Sequence, residues 1–145
     1  MPDSRDTRAV ADRLHSAAIH LLRRVRKRDA ASGEGPARLS ALSVLVFGGP
    51  ITLGQLARAE QVKPPTMTRI VTGLENGGLA ERRPDPGDAR RIRIHATPKG
   101  KRLLLRGRQA RIDYLAAQLQ ELTAEELSGL QQAVAILERV LQNWE

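Results

Sequence analysis

A mostly helical fold carrying one small β-wing is what this sequence predicts, on three observations. Apolar residues recur three and four positions apart along most of the chain, the spacing of one helix face. Phe47, Tyr114 and Trp144 are the only aromatic residues, so the core must be built from Leu, Val, Ile and Ala, which suits packed helices. One stretch breaks the helical pattern: ERRPDPGDARRIRIHATPKG, residues 81–100, turns at a Pro-Gly pair and then alternates Arg with Ile.

Val10, Leu14, Ala17, Leu21 and Val25 predict a first amphipathic helix over about residues 7–29. ASGEGP, residues 31–36, is a linker by composition. Ser40 is placed to cap a second helix carrying Leu42, Leu45 and Val46, which Gly48, Gly49 and Pro50 stop. Thr52 and Gln55 fit a capping box, in which hydroxyl and amide each satisfy a free backbone N–H. A short third helix follows, burying Leu53, Leu56 and Ala57, with Gln61-Val62-Lys63 as the turn after it.

Pro64 and Pro65 open a fourth helix, at positions where a missing N–H costs little. Met67, Ile70, Val71 and Leu74 form its buried stripe, and Asn76-Gly77-Gly78 ends it in left-handed geometry. Leu79 to Arg83 and Arg91 to Ala96 read as two strands, the second with Ile92, Ile94 and Ala96 inward. Thr97-Pro98 caps a long fifth helix, and Thr123 with Glu126 caps a sixth that runs to the C-terminus.

At 145 residues, 41% hydrophobic and 28% charged, the chain predicts one globular domain. No apolar run approaches the ~20 residues of a membrane span, and MPDSRDTRAV lacks the apolar block of a secretory signal. With no cysteine there is no disulfide, thiolate nucleophile or thiolate metal site. A cytoplasmic location is the expectation. The net charge of +8 is segregated. Residues 82–111 hold eleven Lys or Arg against Asp85 and Asp88 (net +9), whereas 112–145 hold Arg139 against six acids (net −5). Such segregation suggests a polyanion face and an opposite face for something else.

The third and fourth helices, joined by a tight turn, predict a helix-turn-helix, whose second helix enters the major groove of DNA. Its outer face would present Pro65, Thr66, Thr68, Arg69 and Thr72. From that pair alone, an ordinary helical hairpin with a polar face is the better account. The ribbon directly after it tips the balance toward a winged helix-turn-helix. PDPGDAR is then the wing, tipped by Asp88 and Arg90, with Arg82, Arg83, Arg91 and Arg93 along its edges. A narrow A·T-rich minor groove attracts an inserted arginine, so the hairpin reads as a minor-groove and phosphate reader.

Residues Ile51 to Gly100 resemble the winged helix of MarR-type bacterial transcriptional regulators. The resemblance is carried by TLGQLA, PPTMTRIVTGLENGGLAERR, the wing residues Asp88-Ala89-Arg90 and the following TPKG. It implies a single domain over 1–145, with dimerisation helices at 1–35 and 112–145. The DNA-binding winged helix, with its linking fifth helix, would then occupy 36–111. By the same resemblance Arg90 enters the minor groove while Asp88 shapes the wing and orients neighbouring basic groups. Thr66, Thr68 and Arg69 would lie on the recognition helix, and Ser40 would meet a phosphate from the start of the second helix. Pro64-Pro65 departs from the small polar residue of many relatives, and a proline donates no hydrogen bond there.

Leu127, Leu130, Val134, Leu137, Leu141 and Trp144 step by three and four, the spacing of a helix–helix seam. A monomer could spend that stripe on its own core; the resemblance assigns it to a homodimer. Two wings facing one side of double-stranded DNA imply a palindromic operator with half-sites ~34 Å apart. The resemblance further implies a repressor, and release by a small aromatic or phenolic effector bound between the dimer helices and the winged helix. His15, His20 and Arg23 could face such a site, although surface or packing roles explain them too.

No cofactor is expected. His15, His20 and His95 are scattered, and no zinc spacing, phosphate-cradling loop or nucleophile elbow is visible, which argues against an enzyme. The alternative class is a basic interaction module. RNA would usually require stacking aromatics, while an acidic protein or a membrane surface could meet the cations of the fifth helix.

Overall fold

The structure, a computed structural model, describes Met1 and residues Asp3–Trp144. Residues 1–111 and 112–145 form two compact units. In the first, α1 (Ser4–Arg26) begins where the Asp3 carboxylate accepts the Arg5 N–H, ahead of the apolar repeat that starts at Val10. The chain then tightens into a 3-10 helix, Lys27–Ser32, closed by Gly33 at φ 75°. The segment expected to be linker from residue 31 is therefore partly helical.

Helix α2 (Pro36–Gly48) starts on Pro36, whose locked φ and missing N–H suit a first helical position. Ser40 thus lies inside α2 and does not cap it. Its hydroxyl donates to the Glu60 carboxylate instead, at 2.8 and 3.0 Å, tying α2 to the end of the next helix.

Ile51–Thr52 pair briefly with a later strand as β1, and Thr52 and Gln55 form the expected capping box at the start of α3 (Leu53–Ala59). This helix ends in a left-handed closing turn: Gln61 adopts φ 55°, and the Val62 N–H reaches back to the Ala57 carbonyl at 3.0 Å. Helix α4 (Pro64–Asn76) opens on its two prolines. It closes the same way, with Gly78 at φ 69° and the Leu79 N–H on the Leu74 carbonyl at 2.8 Å.

Strands β2 (Ala80–Asp85) and β3 (Asp88–Ala96) make an antiparallel hairpin, and β1 adds to the other side of β3, giving the order β1-β3-β2. The hairpin is longer than the sequence predicts. Asp88, Ala89 and Arg90 already belong to β3, leaving Pro86-Gly87 as the turn. Ile92, expected inward, is 51% exposed, because this outer part of the hairpin extends beyond the core.

The core is formed by Ala41, Leu42 and Leu45 of α2, Leu56 and Ala57 of α3, and Met67, Val71 and Leu74 of α4. Leu79, Ala80, Ile94 and Leu104 complete it at the hairpin's root and on α5 (Pro98–Leu119). Each large aliphatic side chain buried here contributes roughly 1.5–3 kcal/mol.

Thr97 fastens α5 to that root. Its hydroxyl donates to the Gly78 carbonyl at 2.6 Å and accepts the Gly100 N–H at 3.0 Å. Lys99 donates to the Gly77 carbonyl at 2.9 Å. A side chain at position 100 would collide with the Leu79 carbonyl, which accounts for the glycine in TPKG.

In the second unit, Thr123 and Glu126 form the predicted capping box of α6 (Ala124–Gln142). The helix stops at Gln142, so Trp144 lies past its end. No residue of α6 is buried in the single chain.

Candidate nucleic-acid interface

Helix α4 turns Met67, Val71 and Leu74 into the core, so the opposite face is exposed by default. Pro65, Thr66, Thr68, Arg69 and Thr72 are all exposed, as the sequence predicts. Pro65, Arg69 and Thr72 recur at i, i+4 and i+7, so they lie along one line of that face. Asn76 continues the line one turn later. Sequence reasoning missed it, having read it only as part of the stop signal. The Thr68 hydroxyl donates to the Pro64 carbonyl at 3.0 Å, so its hydrogen is held within the helix.

The hairpin is stiffened by its own acids. Asp85 accepts the Gly87 N–H at 2.9 Å across the turn and the Arg93 Nε–H at 2.8 Å. The Gly87 N–H holds the Asp85 carboxyl below its ordinary value; partial burial opposes this, and Arg93 and Arg91 reinforce it. Asp88 accepts the Arg90 N–H at 3.0 Å, which shapes the start of β3 through the backbone. Asp85 was not among the predicted site residues. The only signal for it in the sequence is an Asp placed two residues before the turn glycine, in position to bond that N–H.

Ion pairs then sort the arginines. Arg82 stands opposite buried Ile94 and therefore shares the core-side face, from which it reaches Glu75 of α4 at 2.9 Å. Arg83 pairs with Glu81, and Arg93 with Asp85. The guanidinium groups of Arg69, Arg90 and Arg91 have no hydrogen-bond or ion-pair partner among the described residues. They are exposed and can meet an external anion, although Arg91 also feels the nearby Asp85 carboxylate. The Ser40 hydroxyl, expected to meet a phosphate, donates to the Glu60 carboxylate.

Along α6, Leu127, Leu130, Val134 and Leu141 are exposed and Leu137 is half-buried, while Trp144 beyond the helix is 73% exposed. In the first unit, a cavity of about 620 Å³ lies between the 3-10 helix and α5, lined by Ser32, Arg102, Leu103, Arg106 and Ala110 among others. His15, His20 and Arg23 are exposed on α1 and do not line it. No helix among the described residues is long and apolar enough to cross a membrane.

The MarR family pattern matches residues 36–92, which span the second helix, the helix-turn-helix and most of the wing. An HTH-type transcriptional regulator of Mycobacterium bovis is 35% identical over 132 residues, covering 91% of this chain and 92% of the relative. A MarR family protein from Bacillus stearothermophilus has the same fold, with a TM-score of 0.83 at 24% identity over 99% of this chain and 100% of that one. A mutant MepR of S. aureus, bound to an oligodeoxyribonucleotide, superposes with a TM-score of 0.71 at 18% identity, covering 91% of this chain and 97% of that one. The chain belongs to the MarR family, a family of DNA-binding winged helix-turn-helix transcriptional regulators that are not enzymes.

Proposed function

We propose that this protein acts as a homodimeric repressor on a palindromic operator, with α4 in the major groove and Arg90 of the wing in the adjacent minor groove. One observation carries the reading: internal acids occupy Arg82, Arg83 and Arg93, while Arg69 on α4 and Arg90 and Arg91 on the wing are left open to phosphate and base edges. MepR in complex with an oligodeoxyribonucleotide supports the same use of the fold here.

The homodimer reading is supported by apolar residues that the single chain leaves uncovered on α1 and α6, including Val10, Leu14, Leu130 and Leu141. A second copy would remove them from water and would repeat the reading surface by two-fold symmetry. In that assembly the whole chain works as one domain, its terminal segments 1–35 and 112–145 serving dimerisation and 36–111 serving DNA. A dimer held across a promoter excludes polymerase, which favours repression as the sign of control.

The cavity beside α5, rimmed by Arg102 and Arg106, supports release by a small aromatic or phenolic effector whose anionic group meets those guanidinium groups. His15, His20 and Arg23 have no part in this site.

Selection of bound fragments from a random DNA pool tests the central claim, the expected product being an inverted repeat with half-sites ~34 Å apart. Neutralising about eight phosphates should give a slope of log K against log salt near about −7. Enrichment of no sequence, with a flat salt response, overturns the reading.

A further inference from the structure

We infer that the outer face of α4 recognises the 5-methyl group of a thymine, through the Pro65 ring and the Thr68 γ-methyl. The inference rests on the reading that α4 enters the major groove. A recognition helix usually opens with free N–H groups that can meet phosphate or base edges. This one opens on Pro64 and Pro65, so its first two positions have no N–H to donate. Pro65 is nevertheless exposed, in line with Arg69 and Thr72, where nothing of the chain's own core calls for carbon.

Thr68, one turn from Pro65, commits its hydroxyl hydrogen to the Pro64 carbonyl at 3.0 Å. The γ-methyl is the branch of Thr68 not held against the backbone. Ring and methyl together make an exposed apolar spot on a face otherwise formed by Thr66, Arg69 and Thr72. In the major groove only thymine offers a methyl group, and threonine methyls and similar apolar groups are the natural partners for it. Arg69 lies four residues, or ~6 Å, beyond Pro65 along the axis. At ~3.4 Å per base pair, the thymine lies about two steps from the position Arg69 contacts.

The test uses the full chain and an operator obtained by selection, with each thymine replaced singly by deoxyuridine. That change deletes one methyl and leaves all hydrogen-bonding groups and the protein untouched. At one position per half-site the affinity should fall about fourfold, the factor expected for one buried methyl-sized group. Thr68→Val, which keeps the methyl, should preserve the thymine-to-uracil ratio. Pro65→Ala and Thr68→Ser should each bring it toward one.

Uniform affinity across all deoxyuridine operators overturns the inference while leaving the winged-helix reading intact. A ratio that survives both Pro65→Ala and Thr68→Ser overturns the assignment to this face. If Arg69→Ala, Pro65→Ala and Thr68→Ser all bind every operator like the wild type, α4 is not the reader, and the underlying reading falls with the inference.

Discussion

Arg83 and Arg93 stand directly opposite each other on β2 and β3, and each is held by its own carboxylate, Glu81 and Asp85 respectively. Like charges in register on neighbouring strands destabilise a hairpin, and the acids offset that repulsion. Asp85 also bonds the turn at Gly87, so one carboxylate serves both the turn and the strand pair.

The wing should therefore loosen in acid. Because the Asp85 carboxyl is held below its ordinary value in the folded state, its contribution is complete above the ordinary aspartate range. It is lost as pH falls through the lowered folded value. Asp85→Asn should reproduce at neutral pH the wing loosening that the wild type shows only in acid. Backbone amide shifts of Gly87 and Arg93, followed from neutral pH downward in both proteins, check this. Superimposable neutral spectra for the hairpin would refute it.

Arg90→Ala should cost on the order of 1–3 kcal/mol in operator binding, with discrimination relaxed mainly at A·T-rich flanks. Arg82→Ala should cost less, because Arg82 is already spent on Glu75. Titrations of both variants against operators changed one base pair at a time compare the two. Equal losses would mean that the internal ion pairs do not decide which arginines reach DNA.

Gln61 adopts φ 55° at the end of α3, a left-handed conformation that suits glycine better than a residue with a Cβ. Gln61→Gly should raise stability by about 0.5–1 kcal/mol, after allowing for the greater freedom glycine gains in the unfolded chain. Urea unfolding of wild type and variant, compared at the same slope, measures the difference. A lower midpoint for the glycine variant would contradict this account of the turn.

Leu137 is half-buried in the single chain while its seam neighbours on α6 are exposed. Leu137→Asp should place an unpaired charge in the proposed dimer interface at a cost on the order of 3 kcal/mol or more. Light scattering should then report a dimer for the wild type and a shift toward monomer for the variant. A monomeric wild type at micromolar concentration would end the dimer proposal.

Much of this fold was legible because local chemistry and tertiary packing agree. Thr52 with Gln55, and Thr123 with Glu126, cap helices from short-range bonds that the sequence displays outright. The apolar stripe of α4 and the left-handed Gly78 follow from spacing and residue type. Strand β1 was not legible: two residues carry no periodicity, and Ile51–Thr52 become a strand only because β3 passes beside them. Ser40 misled because a serine near a helix start resembles a cap, whereas Pro36 had already begun the helix.

The candidate surface was legible in position but not in its division of labour. Five wing arginines look alike in sequence. Whether an arginine is open or engaged depends on register, which puts Arg82 on the core side within reach of Glu75, and on Asp85 folding back across the turn. The first has no signature in a run of neighbouring letters, and the second shows only as an Asp two residues before the turn glycine.

In the strand order β1-β3-β2 the outer side of β2 has no strand partner among the described residues, leaving a row of backbone groups on which a foreign strand could dock. Charged side chains and proline are what blunt such a margin, and β2 carries Arg82, Arg83 and Pro84. The cations of this strand therefore protect solubility as well as shaping the wing. A variant stripped of Arg82 and Arg83 to lower nucleic-acid affinity would keep only Pro84 to blunt that margin, and would be more prone to edge-to-edge association for reasons unrelated to its operator.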